Sequence, residues 1–248
     1  MACQTFVRGD VAVSWPPAPA GTAAHHAAGS GATPPPQVTG SKVRFSYVGH
    51  ASWLIQTAGL NILVDPVWSM RVSPVSFAGP KRHNDPGIAF DRLPKIDAVL
   101  VSHGHYDHLD VATLSRLWRR FAPRMITPLG NDAAMCAADS AIKAEAFDWK
   151  DRVELGNGVA VTLVPTRHWS ARGLRDRNKA LWASFVMETP AGKLYIVSNG
   201  RLYRRGQLGP GTGGQGGAQQ TGAFGQKQPA APAGPGTTPL PAPALRPP

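Results

Sequence analysis

Residues 97–110 read Asp97-Ala98-Val99-Leu100-Val101-Ser102-His103-Gly104-His105-Tyr106-Asp107-His108-Leu109-Asp110. Asp97 to Ser102 is a nearly continuous apolar run of strand length, expected to be buried on both faces. Three histidines and an aspartate follow within six residues. Residues two apart on an extended chain project the same way, so His103 and His105 can reach one metal ion from one side. Asp107 and His108, at the turn, can reach a second. Imidazole and carboxylate donors suit zinc, with iron or manganese as alternatives. The plainer reading is a set of solvated loop histidines, and their density directly behind an apolar strand argues against it. Asp110 is placed to cap the helix that follows.

Outward from this stretch the pattern is strands, then strand–helix units, then strands. Upstream, Lys42–Val48 alternates like a half-buried strand, and Ser52–Thr57 and Leu60–Val64 complete a β-meander across the turn Ala58-Gly59. Asp65-Pro66 ends it, because proline cannot donate to a ladder. Residues 66–94 are rich in Pro and Gly and read as a long structured loop. Downstream, Val111, Leu114, Trp118 and Phe121 fall at helical spacing up to Pro123. A short strand (124–127), a short helix (131–138), a strand (158–164) and a hairpin of strands 180–188 and 193–197 follow. This order predicts an α/β sandwich with helices outside a sheet. A third ligand for the first metal would come from His168, just past strand 158–164. His25, His26 and His83 have no such support and read as surface or lead-in residues.

The pattern H-x-H-x-D-H behind a strand resembles the metallo-β-lactamase superfamily. Longer stretches resemble the branch containing N-acyl-phosphatidylethanolamine-hydrolysing phospholipase D and its bacterial relatives. These are Gly49-His50-Ala51-Ser52, Leu63-Val64-Asp65-Pro66-Val67-Trp68, Ser73 to Arg82, Pro86 to Phe90, and His168 to Ser184. The resemblance covers about residues 42–197 and implies an αββα sandwich, of which this chain carries the N-terminal half and the start of the second. It implies a first zinc on His103, His105 and His168, and a second on Asp107 and His108. Asp65 would orient a ligand imidazole and His50 would line the site. Two zinc ions would make a water between them acidic, and the resulting hydroxide would attack phosphorus. A phosphodiester, small or lipid, is the implied substrate, with lactonase chemistry as the alternative within the class. Arg167, Arg172, Arg175 and Arg177 are candidates for phosphate oxygens, since guanidinium forks match them. Trp68, Phe77 and Trp169 could line an acyl groove but read more simply as core.

The chain departs from this family after strand 193–197. There the family has a Gly-Asp pair whose carboxylate bridges the metals, whereas this chain reads Ser198-Asn199-Gly200. No Asp or Glu follows Glu188 and no His follows His168. The expectation is therefore one zinc or none, unpaired sheet edges, and little or no turnover. Its rival function is a truncated, non-catalytic fragment or pseudoenzyme.

Composition divides the 248 residues the same way. Residues 1–41 read as a weakly ordered lead-in and 42–200 as an incomplete globular domain. Residues 201–248, rich in Gly, Pro and Gln, have too few apolar groups to order themselves. Their abrupt onset suggests out-of-frame translation of a GC-rich gene. The net charge is +11, and five of its cations lie in this acid-free tail. A basic coil can touch nucleic acid or anionic lipid, but without interleaved aromatics no specific nucleic-acid partner is expected. Cys3 and Cys136 imply no disulfide framework. With no apolar run of spanning length and no secretory signal, the expected location is cytoplasmic, with peripheral membrane contact left open. Oligomeric state is not legible.

Overall fold

The computed structural model describes residues 5–7, 11–13, 33–75 and 77–198. The expectations for the tail after 200, and for Cys3, His25 and His26, fall outside the described residues. Among the described residues, twelve strands and two α-helices form two sheets and one helical layer, with a single 3-10 turn at Phe90–Arg92. The strands are β1 (Thr5–Val7), β2 (Val11–Val13), β3 (Val43–Gly49), β4 (Ser52–Thr57), β5 (Leu60–Val64), β6 (Ala98–Leu100), β7 (Arg124–Pro128), β8 (Ala144–Phe147), β9 (Arg152–Gly156), β10 (Val159–Val164), β11 (Ser184–Thr189) and β12 (Gly192–Ile196). The helices are α1 (Val111–Phe121) and α2 (Asn131–Ala138). The larger sheet runs β2-β3-β4-β5-β6-β7-β8 and the smaller β1-β12-β11-β10-β9.

The larger sheet is covered on both faces, and its sequence shows it. Every residue of β4 is buried. Because side chains alternate, Trp53 and Ile55 enter a core shared with Leu163, Phe185 and Met187 of the smaller sheet. Leu54 enters a second core with Leu114 and Leu117 of α1 and Met135 of α2. Among the described residues both helices lie on that second side, giving an αββ stack. No described helix is long and apolar enough to cross a membrane.

β4, β5 and α2 fall where the sequence places them, residue for residue. Other elements differ for physical reasons. The apolar stretch Ala180–Ala183 does not extend β11. Its amides cross to other loops instead, Leu181 N–H to the Leu129 carbonyl and Ala183 N–H to that of Ser102. The buried face of α1 centres on Thr113, Leu114 and Leu117, while Val111, Trp118 and Phe121 pack at its margins. β8 is half-buried throughout, so no face stands out, and β9 alternates charged and apolar residues over only four positions before Gly156. β3 carries β2 in parallel and β12 carries β1 antiparallel, and among the described strands the sheets end at β2 and β8 and at β1 and β9. The end of the lead-in is also tied down. The carboxamides of Gln56 and Asn61 donate to the carbonyls of Pro35 and Pro36 at 2.8 and 2.9 Å.

Strands β5, β6 and β7 run parallel. Their C-terminal ends therefore deliver Asp65, the Ser102–His108 loop and Asn131 to one rim of the sheet. Asp110 locks that rim. It caps α1 by accepting from Thr113 N–H at 3.2 Å, and it also accepts from Trp68 and Ser69 N–H at 3.2 and 2.9 Å. Asp110→Ala removes a cap and strands buried donors. It is expected to cost about 2–4 kcal/mol in urea unfolding, with Asp110→Asn recovering part of the loss.

Candidate metal centre

The centre is built around the carboxylate of Asp65, which is fully buried. Asp65 follows β5 with φ 41°, a left-handed conformation that aspartate tolerates better than most residues. Its backbone is pinned on both sides. Its N–H donates to the Leu100 carbonyl at 2.8 Å, and its carbonyl accepts from Ser52 Oγ at 2.5 Å. The carboxylate accepts from Ser102 N–H at 2.7 Å, Ser102 Oγ at 2.7 Å and His108 Nδ1 at 2.8 Å, and also from Ser198 Oγ.

These contacts set two tautomers. A carboxylate only accepts, so His108 carries its proton on Nδ1 and Ser102 Oγ spends its own on Asp65. Ser102 Oγ must then accept from His103 Nδ1, 2.8 Å away. In the neutral His103 ring this leaves Nε2 as a lone pair turned away from Asp65, and His108 turns its Nε2 toward Asp107.

The Nε2 atom of His103 meets His105 Nδ1 at 2.8 Å and His168 Nε2 at 2.9 Å. One ring lone pair serves two N–H donors only as a shared, weaker bond, and among the described residues His105 Nε2 is buried without a hydrogen-bond partner. Three imidazole nitrogens converging on one point fit a cation with nitrogen-ligand preference. Electrostatics agree. Burial, reinforced by the neighbouring imidazoles, holds His103 well below the ordinary histidine range and His168 at about 4. Burial also lowers His105. The rings therefore stay neutral at pH 7 and offer lone pairs.

A second donor group lies beside the first, with the rings of His103 and His108 4.2 Å apart. It consists of His50, Asp107 and His108, whose donor atoms lie within 4.8 Å of one another. Burial opposes ionisation of Asp107, but the hydrogen bond from His50 and the field of His108 outweigh it and hold this carboxyl below its usual range. Burial likewise opposes charge on His108, and the Asp65 carboxylate overcomes it, raising the imidazole's pKa.

The loop bearing His168 is fastened to the histidine loop. Gly104 N–H donates to Ser170 Oγ at 3.0 Å. A Cβ at position 104 would stand 2.8 Å from that oxygen and 3.0 Å from Asn131 Oδ1, so glycine is required there. Arg172 is part of the loop fastening. Its Nη1 donates to the Gly104 and Leu109 carbonyls at 2.9 and 2.8 Å, and its guanidinium stacks on Tyr106. Arg167, Arg175 and Arg177 remain exposed on the same segment, with Arg177 over the Trp169 ring. Of the aromatics expected in the core, Trp68 packs against it. Phe77 is 81 % exposed, and Trp169 stands edge-on to His105 at 4.3 Å. His83 is exposed and takes no part in either donor group.

Residues 60–198 match the family model described as a beta-lactamase superfamily domain. The chain belongs to the metallo-β-lactamase superfamily. An uncharacterized protein of Mycobacterium tuberculosis is 36% identical over 160 residues, covering 63% of this chain and 42% of that protein. N-acyl-phosphatidylethanolamine-hydrolyzing phospholipase D 1 of Caenorhabditis elegans is 34% identical over 173 residues, covering 66% of this chain and 46% of the relative. The chain thus spans less than half the length of these curated relatives. A solved metallo hydrolase from Ignicoccus hospitalis aligns at TM-score 0.43 with 16% identity, covering 61% of this chain and 57% of that one.

Within this superfamily frame, the contributions of Ser102, Ser170 and Ser198 are not readable from the sequence. Serine is too common to stand out, and only Ser102, adjacent to His103, offers a positional hint.

Protonation of the buried histidines links the centre to stability. His103, His105 and His168 have folded pKa values below 6.5, so between pH 6.5 and about 4 the unfolded chain binds more protons. Their favourable contribution is complete above pH 6.5 and is lost as pH falls through this window. His108, with a raised value, acts only above it and in the opposite sense. The urea midpoint of chelator-treated protein should therefore fall from pH 6.5 to pH 4.5. A midpoint that is flat over that interval would contradict these shifts.

Proposed function

We propose that this centre is that of a zinc-dependent phosphodiesterase of the N-acyl-phosphatidylethanolamine phospholipase D type, acting on a lipid or smaller phosphodiester. The observation that carries the reading is the convergence of the His103, His105 and His168 nitrogens beside Asp107 and His108. The 34% identity to the Caenorhabditis elegans phospholipase supports the substrate class.

His103, His105 and His168 would hold one zinc, and Asp107 and His108 would face a second. Zinc bound there supplies an acidified water and positive charge for a developing oxyanion. The chain's own residues do the rest. Asp65 and Ser102 keep His103 and His108 in the tautomers that turn Nε2 inward. Ser170 and Arg172 keep the His168 segment against the histidine loop. Asp107, ionised at neutral pH, supplies a fixed negative charge and a hydrogen-bond acceptor. Exposed Arg167, Arg175 and Arg177 are placed on the segment a phosphate would approach, and Trp169 offers an apolar surface next to the first group.

A second reading is a metal-binding chain with little turnover. It is favoured by the chain after β12, where the sequence resemblance calls for a Gly-Asp pair and Ser198-Asn199 stands instead, with the Ser198 hydroxyl turned to Asp65 and His108 Nδ1.

Purified chain loaded with zinc should cleave bis(4-nitrophenyl) phosphate and N-acyl-phosphatidylethanolamine in mixed micelles. Activity should vanish with chelator and fall at least about 100-fold in His103→Ala. Preference for a lactone over both phosphodiesters would move the site to the lactonase reading. Retained zinc with no turnover of any of them would establish the second reading.

A further inference from the structure

We infer that His50 is a metal ligand in this chain, completing a three-donor second metal position with Asp107 and His108. The inference deepens the metallo-hydrolase reading above and rests on it. By sequence resemblance the second position has only Asp107 and His108 in this part of the chain, too few to hold an ion well. The fold supplies a third donor from 57 residues away in sequence.

The three donor atoms are identifiable. His50 Nε2 stands 2.9 Å from Asp107 Oδ2, and His108 Nε2 stands 3.6 Å from the same oxygen. His108 Nδ1 faces Asp65, so Nε2 is the ring nitrogen on the Asp107 side. The rings of His50 and His108 meet edge-on at 5.6 Å, with their inner nitrogens turned to Asp107. A hydrogen bond from His50 to Asp107 accounts for one of these contacts. A cation shared by the three donors accounts for both at once, with His50 Nε2 at 2.9 Å and His108 Nε2 at 3.6 Å from Asp107 Oδ2.

The backbone carries an independent sign. His50 sits in the turn between β3 and β4 with φ 51°, a left-handed conformation that is uncommon outside glycine and in which histidine, like asparagine and aspartate, is over-represented. The β3–β4 register shifts between Tyr47 and Gly49, immediately before it. Bulges of this kind re-aim a side chain, and a residue held at positive φ is strain that persists where function requires it. Here the irregularity swings the imidazole over Asp107. The position is also open on one side. The His50 and Asp107 side chains are 52% and 34% exposed and His108 is fully buried, so a ligand site would remain for water or substrate.

The test counts Co2+ bound by the chelator-treated full chain in equilibrium dialysis. Wild type is expected to bind about two ions per chain. His50→Ala and His50→Gln are each expected to lose one of these while keeping the wild-type circular dichroism spectrum. Glutamine can still donate to Asp107, so a residue that only positioned Asp107 would be rescued by it. In a second arm, His50→Cys is made together with Cys3→Ser and Cys136→Ser. If residue 50 ligates, Co2+ should produce a near-ultraviolet thiolate charge-transfer band that is absent without the cysteine at 50. Full Co2+ binding by His50→Gln, a wild type that binds a single ion, or no such band would overturn the inference while leaving the first position intact. A wild type that binds no ion would overturn the metallo-hydrolase reading as well.

Discussion

A single buried carboxylate organises this protein. Asp65 is cut off from solvent yet accepts from two groups of Ser102, from His108 and from Ser198. A buried charge is tolerable only when its lone pairs are filled, and removing it would leave several donors unpaired at a cost of about 3–5 kcal/mol. What it provides is orientation. Through Ser102 it fixes His103, directly it fixes His108, and these two rings present one nitrogen to each of the neighbouring donor groups.

The fold exists around that point in a specific sense. Parallel strands β5, β6 and β7 end at one rim, and ligand sites in such sheets collect at the carboxyl ends of strands. From the opposite sheet, β10 ends four residues before His168 and β12 two residues before Ser198. The two sheets pack through Ile55, Val64, Leu163 and Phe185, so the core sets the distance at which His168 meets His103. Arg172 and Ser170 then fasten the two loops to each other through backbone atoms of Gly104. The tight packing around that glycine, with a side-chain oxygen on either side, leaves the loop little freedom to drift.

Much of this was legible because local and global preferences coincide. Ser52–Thr57 and Leu60–Val64 are strands by their own residue types and by their burial on both sides. Asp110 announces the start of α1 and does cap it. The histidine cluster stood out by its density behind a buried strand. The rest depended on partners far away in sequence. Arg152–Gly156 alternates charge and becomes a strand only because β10 lies beside it. Ala180–Ala183 is apolar enough for a strand, yet its amides bond to the Ser102 and Leu129 carbonyls, which no local pattern encodes. Arg172 binds the Gly104 and Leu109 carbonyls, a role that sequence does not reveal because a guanidinium is equally suited to phosphate oxygens and to backbone carbonyls. His50 lies within the recognisable stretch Gly49–Ser52 and is expected there to line the site, but its approach to Asp107 across the β3–β4 turn needed coordinates.

The central claim is that Asp65 dictates the imidazole tautomers. Long-range 1H–15N correlation spectra of the histidine side chains, recorded on metal-free protein at neutral pH, test it most directly. The account predicts that His103 and His108 keep a proton on Nδ1, with His103 Nε2 bare, and that Asp65→Asn disturbs both rings together. A proton resident on His103 Nε2 with Nδ1 bare, or rings indifferent to Asp65→Asn, would contradict it.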